Sequence, residues 1–204
     1  MTFATALPHY PAPMPQLDSV GSMLLKSASD LLAAEGPAAL TVRRIANDAG
    51  VSTMNVYSRF GSKDGVVEHL FVEGFHRLAA GMSSIVDSDD PIADMVSCGM
   101  AYRQFAIENP TLYSVMFDRV VPDFRPSIDA KLLAGTTLGL LAKRVERAMS
   151  NGVLRVAEPM STAALVWATC HGVVSLEMKG VGPPSIDWLE VYDGAMRMIV
   201  AGLS

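Results

Sequence analysis

Between Thr41 and Lys63 the chain gathers groups that suit a phosphate backbone: the guanidiniums of Arg43, Arg44 and Arg59, the ammonium of Lys63, and the hydroxyls of Thr41, Ser52 and Tyr57. With Asp48 the one acid among them, the charges in this window sum to +3, which leaves −8 for the rest of a chain whose net charge is −5. Cations of this kind displace counterions from duplex DNA, and hydroxyls donate to its phosphate oxygens. Three side chains in the same window have base-reading chemistry. Thr53 and Asn55 carry donors and acceptors for base edges, and Met54 can pack on a thymine methyl. One short segment, and not the molecule as a whole, is therefore the expected DNA-facing surface.

Positioning these groups requires two short helices and a tight turn, and the spacing supplies them. Thr41 is placed to cap a helix whose inner face is Val42, Ile45, Ala46 and Ala49. Small Ala49 lets two helices approach, and Gly50 gives the chain its exit. Ser52 is placed to cap a second short helix ending near Phe60, held inward by Val51, Val56 and Phe60. Residues 41–60 thus have helix-turn-helix spacing, with the first turn of the second helix, Ser52 to Asn55, free to enter a major groove. Both helix starts also offer unpaired N–H groups to phosphate.

The surrounding sequence reads as helix almost throughout. Leu17, Val20, Leu24, Ala28 and Leu31 form one apolar face, stopped by Gly36-Pro37. A fourth helix carries Val67, Leu70, Phe71, Phe75 and Leu78. Further helices are expected at about 92–109, 111–118, 127–150, 160–180 and 186–203, with breaks at Asn109-Pro110, Val121-Pro122, Asn151-Gly152 and Gly182-Pro183-Pro184. No alternating strand pattern appears. The expected fold is all-α: a Pro-rich tail over 1–15 (Pro8, Pro11, Pro13 and Pro15), a three-helix DNA-binding domain over 16–64, and a larger helical bundle over 65–204 for ligand binding and dimerisation.

Residues 17–70 resemble the N-terminal domain of the TetR family of regulators. The resemblance rests on Leu40-Thr41-Val42-Arg43-Arg44-Ile45-Ala46, Ala49-Gly50-Val51-Ser52, Val56-Tyr57-x-x-Phe60 and Gly61-Ser62-Lys63-Asp64. It implies phosphate contacts at Thr41, Tyr57 and Lys63, and a recognition helix led by Ser52, Thr53, Met54 and Asn55. Met54 and Ser58-Arg59 depart from the family's commoner residues, which leaves the operator sequence open. Two later stretches, Ala101-Tyr102-Arg103-x-Phe105-Ala106-x-Glu108-x-Pro110-x-Leu112-Tyr113-x-x-Met116-Phe117 and Ala163-x-x-Val166-Trp167-Ala168-x-x-His171-Gly172-x-x-x-Leu176-Glu177, resemble a subgroup named for a Trp-His-Gly signature.

In the acidic C-terminal half, Trp167, His171, Val174 and Met178 fall along one side of a helix. Tyr102, Phe105, Tyr113, Met116 and Phe117 are candidates for a facing wall. A mostly apolar site with a few polar groups suits a small apolar or aromatic effector, and the chain's 13 methionines would let it adapt. The same residues equally suit a plain core, with His171 a hydrogen-bonded core histidine. The last two helices, with Trp167, Cys170, His171, Val174 and Met178 on one and Trp188, Leu189, Tyr192, Met196, Ile199 and Leu203 on the other, have faces broad enough to pair with their twins in a homodimer. Two recognition helices one helical turn apart on an operator would need such a dimer.

Other function classes find less support. The four histidines, His9, His69, His76 and His171, form no readable catalytic order, and no phosphate loop is present. Cys170 adjoins His171, but helix neighbours point about 100° apart and make a poor dyad. His69, Glu73 and His76 share a helix face that reads as solvated, so no metal and no cofactor is expected. A helical protein that binds a small molecule or senses a metal without touching DNA is the alternative reading. Cys98 and Cys170 lack a CxxC spacing, which fits a reducing cytoplasm, and no apolar run approaches the ~20 residues of a membrane span. No membrane partner or signal peptide is expected.

Overall fold

A computed structural model describes residues 17–204, so the expected Pro-rich tail lies outside the described residues. The helices are α1 (Ser19–Glu35), α2 (Val42–Asp48), α3 (Met54–Phe60), α4 (Lys63–Ser83), α5 (Pro91–Glu108), α6 (Pro110–Phe117), α7 (Ile128–Ser150), α8 (Pro159–Met178) and α9 (Trp188–Leu203), with a 3₁₀ turn at Pro37–Ala39. Among the described residues there is no strand, as the helical periodicity predicts. The chain divides into two compact units. One runs to Glu73 and includes Ser114–Thr136; the other comprises Gly74–Tyr113 and Thr137–Ser204.

The first unit is built around α1. Asp18 caps it, accepting from the Gly21 amide at 2.7 Å. Its buried face is Leu24, Ala28, Leu31 and Leu32, the three- and four-residue recurrence of an amphipathic helix. Gly36, at φ +77°, ends it in a conformation that a side chain would strain. Buried Ser27 donates to the Ile45 carbonyl at 3.0 Å and stitches α1 to α2. Ile45 and Ala46 are fully buried, whereas Val42 and Ala49 are only half-buried, so the inner face of α2 is narrower than its sequence suggests.

The junction of α3 and α4 is unusually close. A Cβ placed on Gly65 would lie 1.8 Å from the Phe60 carbonyl oxygen, so only glycine fits there. His69 consolidates the same corner. Its Nδ1 lies 2.8 Å from the Gly65 carbonyl, and its ring meets Phe60 edge-on at 4.7 Å. That corrects the expected solvated face: His69 turns back along its helix and is half-buried, so it does not point to water with His76.

In the second unit, α8 packs against α5 and α9. Tyr192 donates to the Gly99 carbonyl at 2.5 Å, and the Cys170 thiol meets the Met196 sulfur at 3.3 Å. Burial pushes the Cys98 thiol up to about 11 and raises Cys170 as well. Asp90, Glu158 and Asp187 cap α5, α8 and α9 through backbone amides. Arg147 pairs with Asp94 at 2.5 Å, which, together with Ser88, holds that carboxyl at about 2. Among the described residues no helix is long and apolar enough to cross a membrane.

Candidate functional site

The helix-turn-helix forms as the spacing predicts, with one correction. Thr41 caps α2, its hydroxyl accepting from the Arg44 amide at 3.2 Å. Gly50 makes the turn at φ +68°. Val56 and Phe60 are buried and anchor α3 to the unit. Ser52, however, does not cap α3. The helix starts at Met54 with Thr53 in the cap position and no side-chain cap bond, and the Ser52 hydroxyl instead accepts from the Asn55 side-chain Nδ2 at 3.2 Å. Ser52, Thr53 and Met54 are exposed, Met54 at 69%, as is Tyr57 at 53%. A methionine and a tyrosine left so open on a well-packed unit are available to another molecule.

The cations divide into two kinds. Arg44 grips Glu35 with both terminal nitrogens, at 3.2 and 2.6 Å, and Asp48 lies 3.9 Å away. Arg59 grips Asp18 through Nε and a terminal nitrogen, at 2.8 and 2.6 Å. Arg59, followed by the Gly21 amide, holds the Asp18 carboxyl at about 2, and Arg44 lowers that of Glu35. Among the described residues no carboxylate pairs with Arg43 or Lys63. The sequence places four equivalent cations here. The fold offsets two of them with acids 9 and 41 positions away.

The second unit brings together four of the expected ligand-binding residues. Tyr102 and Tyr113 are buried, and each hydroxyl lies 2.9 Å from His171 Nδ1 and 3.4 Å from the other. The hydrogen bonds close if Tyr102 donates to Tyr113, and Tyr113 to an unprotonated Nδ1. The His171 ring stacks on Tyr113 with centroids 5.7 Å apart, and Trp167 flanks it at 5.7 Å. Phe105 and Val174 are buried, and Met178 is half-buried at the end of α8. Met116 and Phe117 belong to the first unit.

Two features were not visible in the sequence. Glu177 takes Arg103 of α5 at 2.9 and 2.5 Å, a pairing across 74 positions of sequence. Thr137 carries a buried hydroxyl with no partner among the described residues, the kind of unmet group that water or a bound molecule satisfies.

Residues 24–70 match the family model described as bacterial regulatory proteins, tetR family. Residues 95–199, more than half of the 204, match the model described as tetracyclin repressor-like, C-terminal domain. The chain belongs to the TetR family. The HTH-type transcriptional regulator Rv1816 of Mycobacterium tuberculosis is 24% identical over 206 residues, covering 83% of this chain and 86% of that one. Among solved structures, a protein of unknown function from Rhodococcus sp. RHA1 superposes with a TM-score of 0.80 at 23% identity, over 92% of this chain and 97% of that one. The TetR family transcriptional regulator PfmR from Thermus thermophilus gives 0.69 at 20% identity, over 89% and 98%. This TetR-family chain is thus a transcriptional regulator, and the matches support the family without the narrower Trp-His-Gly subgroup.

Proposed function

We propose that this regulator binds a two-fold symmetric operator in double-stranded DNA as a homodimer, represses, and is released by a small, mostly apolar effector. The exposed leading turn of α3 carries the proposal. Ser52, Thr53, Met54 and Asn55 would face bases, while Thr41, Arg43, Tyr57 and Lys63 would meet phosphates. Arg44 and Arg59 are secondary phosphate contacts, because each must first share its charge with a carboxylate.

Support for the homodimer comes from the outer surfaces of α8 and α9. Of the eleven residues named from the sequence, Cys170, Val174, Tyr192 and Met196 are buried in the chain's own core, whereas Leu189 is exposed. Other exposed apolar and small positions extend the outer surface. Leu165, Ala168, Gly172 and Leu176 recur along α8, and Val191 and Met198 along α9. Apolar and small residues at this spacing suit close packing against a second copy.

The Tyr102, Tyr113, His171 and Trp167 cluster supports an effector with an apolar or aromatic body and one hydrogen-bonding group. An effector that favours the conformer poorly fitted to the operator lowers DNA affinity by linkage. The deciding experiment selects duplexes from a random pool with the purified protein and repeats the selection with candidate ligands. A palindromic consensus lost on adding a ligand is the expected result. Indifference to every duplex at low salt would refute the reading.

A further inference from the structure

Asn55 stands at the leading end of α3 with both ends of its amide engaged. Its Oδ1 accepts from an Arg59 terminal nitrogen at 2.9 Å, and its Nδ2 donates to the Ser52 hydroxyl at 3.2 Å. A guanidinium can only donate, so the amide is fixed with oxygen toward Arg59 and nitrogen away from it. Arg59 is itself held by the two-pronged grip of Asp18. Asp18 is in turn immobilised by the Gly21 amide at the start of α1. A contact spanning 41 positions of sequence thereby reaches one amide on the recognition helix.

We propose that Asp18 is a positioning residue for sequence recognition: through Arg59 it locks the Asn55 amide so that the second Nδ2 hydrogen is presented to a hydrogen-bond acceptor on a base edge. This rests on the reading of α3 as the helix that enters the groove. The acceptors that fit are purine N7, guanine O6 and thymine O4, whereas the exocyclic amines of adenine and cytosine do not fit. Unlocked, an asparagine amide turns over readily and offers its oxygen as easily as its nitrogen. Discrimination at that base then weakens even though no contacting residue has changed. The arrangement is preorganisation: the side chain is ordered before DNA arrives.

Asp18 also caps α1, so the test must separate the two roles. Asp18→Asn keeps an oxygen for the Gly21 amide but loses the charge that grips Arg59. Arg59→Lys keeps a charge but not the fork. Full-length wild type, both variants, Asn55→Ala and the Asp18→Asn/Asn55→Ala double variant are compared by duplex selection and by titration on the preferred and a random duplex. Circular dichroism confirms folding.

Asn55→Ala identifies the base position concerned. Asp18→Asn and Arg59→Lys are expected to cut discrimination at that same position about tenfold, within the range of one good base contact. Affinity of Asp18→Asn for the random duplex should hold or rise, since a released guanidinium can meet a phosphate. Asp18→Asn should add nothing in the Asn55→Ala background. Equal loss on preferred and random duplexes would assign Asp18 to folding alone and overturn the proposal. So would a change of preference that persists without Asn55. If Asn55→Ala itself leaves every preference intact, the placement of α3 in the groove fails first, and the two failures are told apart.

Discussion

Glu35→Gln should make the protein bind DNA more tightly, and more salt-sensitively, without touching any residue that meets DNA. Both terminal nitrogens of Arg44 are committed to the Glu35 carboxylate, at 3.2 and 2.6 Å, on a surface where both side chains are nearly half exposed. An exposed pair contributes little to folding, so the amide should leave the fold intact. It does release a cation beside the capped start of α2. One regained phosphate contact steepens the dependence of log affinity on log salt by about 0.9, or about 1.8 for two protomers. Between 50 and 200 mM salt, a fourfold change, that slope is worth about twelvefold in affinity. Fluorescence anisotropy on a random-sequence duplex across that range reads it directly. A slope unchanged in Glu35→Gln, in a preparation where Lys63→Ala does flatten it, would refute the division of the cations into paired and unpaired.

Lys63→Ala should weaken binding on all sequences alike and flatten the slope by about 0.9 per protomer, in the same titration. Gly65→Ala should destabilise the protein by about 3 kcal/mol, since a methyl cannot share space with the Phe60 carbonyl; urea unfolding measures it, and a loss within experimental error would show that the α3–α4 corner yields. Trp167→Ala should alter effector response more than operator affinity, and unchanged induction by the ligand found in the selection would argue against the His171 cluster as the effector site. Asp94 is depressed to about 2 from its ordinary 3.8 chiefly by Arg147, so its contribution to stability is complete above about pH 4 and fades as pH falls toward 2. Melts of Asp94→Asn should accordingly lose less stability than wild type over that interval, and parallel acid limbs would contradict the assignment.

The helices were legible because their signals are local. Apolar residues recur at helical spacing, Thr41 is a capping residue, and Gly36 and Gly50 stand where the backbone must turn left-handed. What escaped is what depends on a second element. Ser52 is as good a cap as Thr41 by type, but Asn55 claims its hydroxyl. His69 sits on a polar-looking face, yet its ring is drawn back to a carbonyl one turn earlier and to Phe60. The core and outer faces of α8 could not be told apart, because apolar and small residues surround that helix and periodicity fades when every side is apolar. Asp18 and Glu35 offered no sign of their partners, since nothing in a sequence records which acid a folded chain brings to which arginine.

The paired arginines also bear on how a regulator spends its time in a cell. A chromosome presents a vast excess of irrelevant duplex, and each loosely held copy is one fewer to occupy an operator. On the proposed reading, keeping two guanidiniums engaged with carboxylates would thin that background adhesion, and the Arg59 pair would at the same time steady Asn55 in the base-facing turn. Fewer molecules would then be sequestered on random sequence, so a smaller pool would suffice to keep a control site filled.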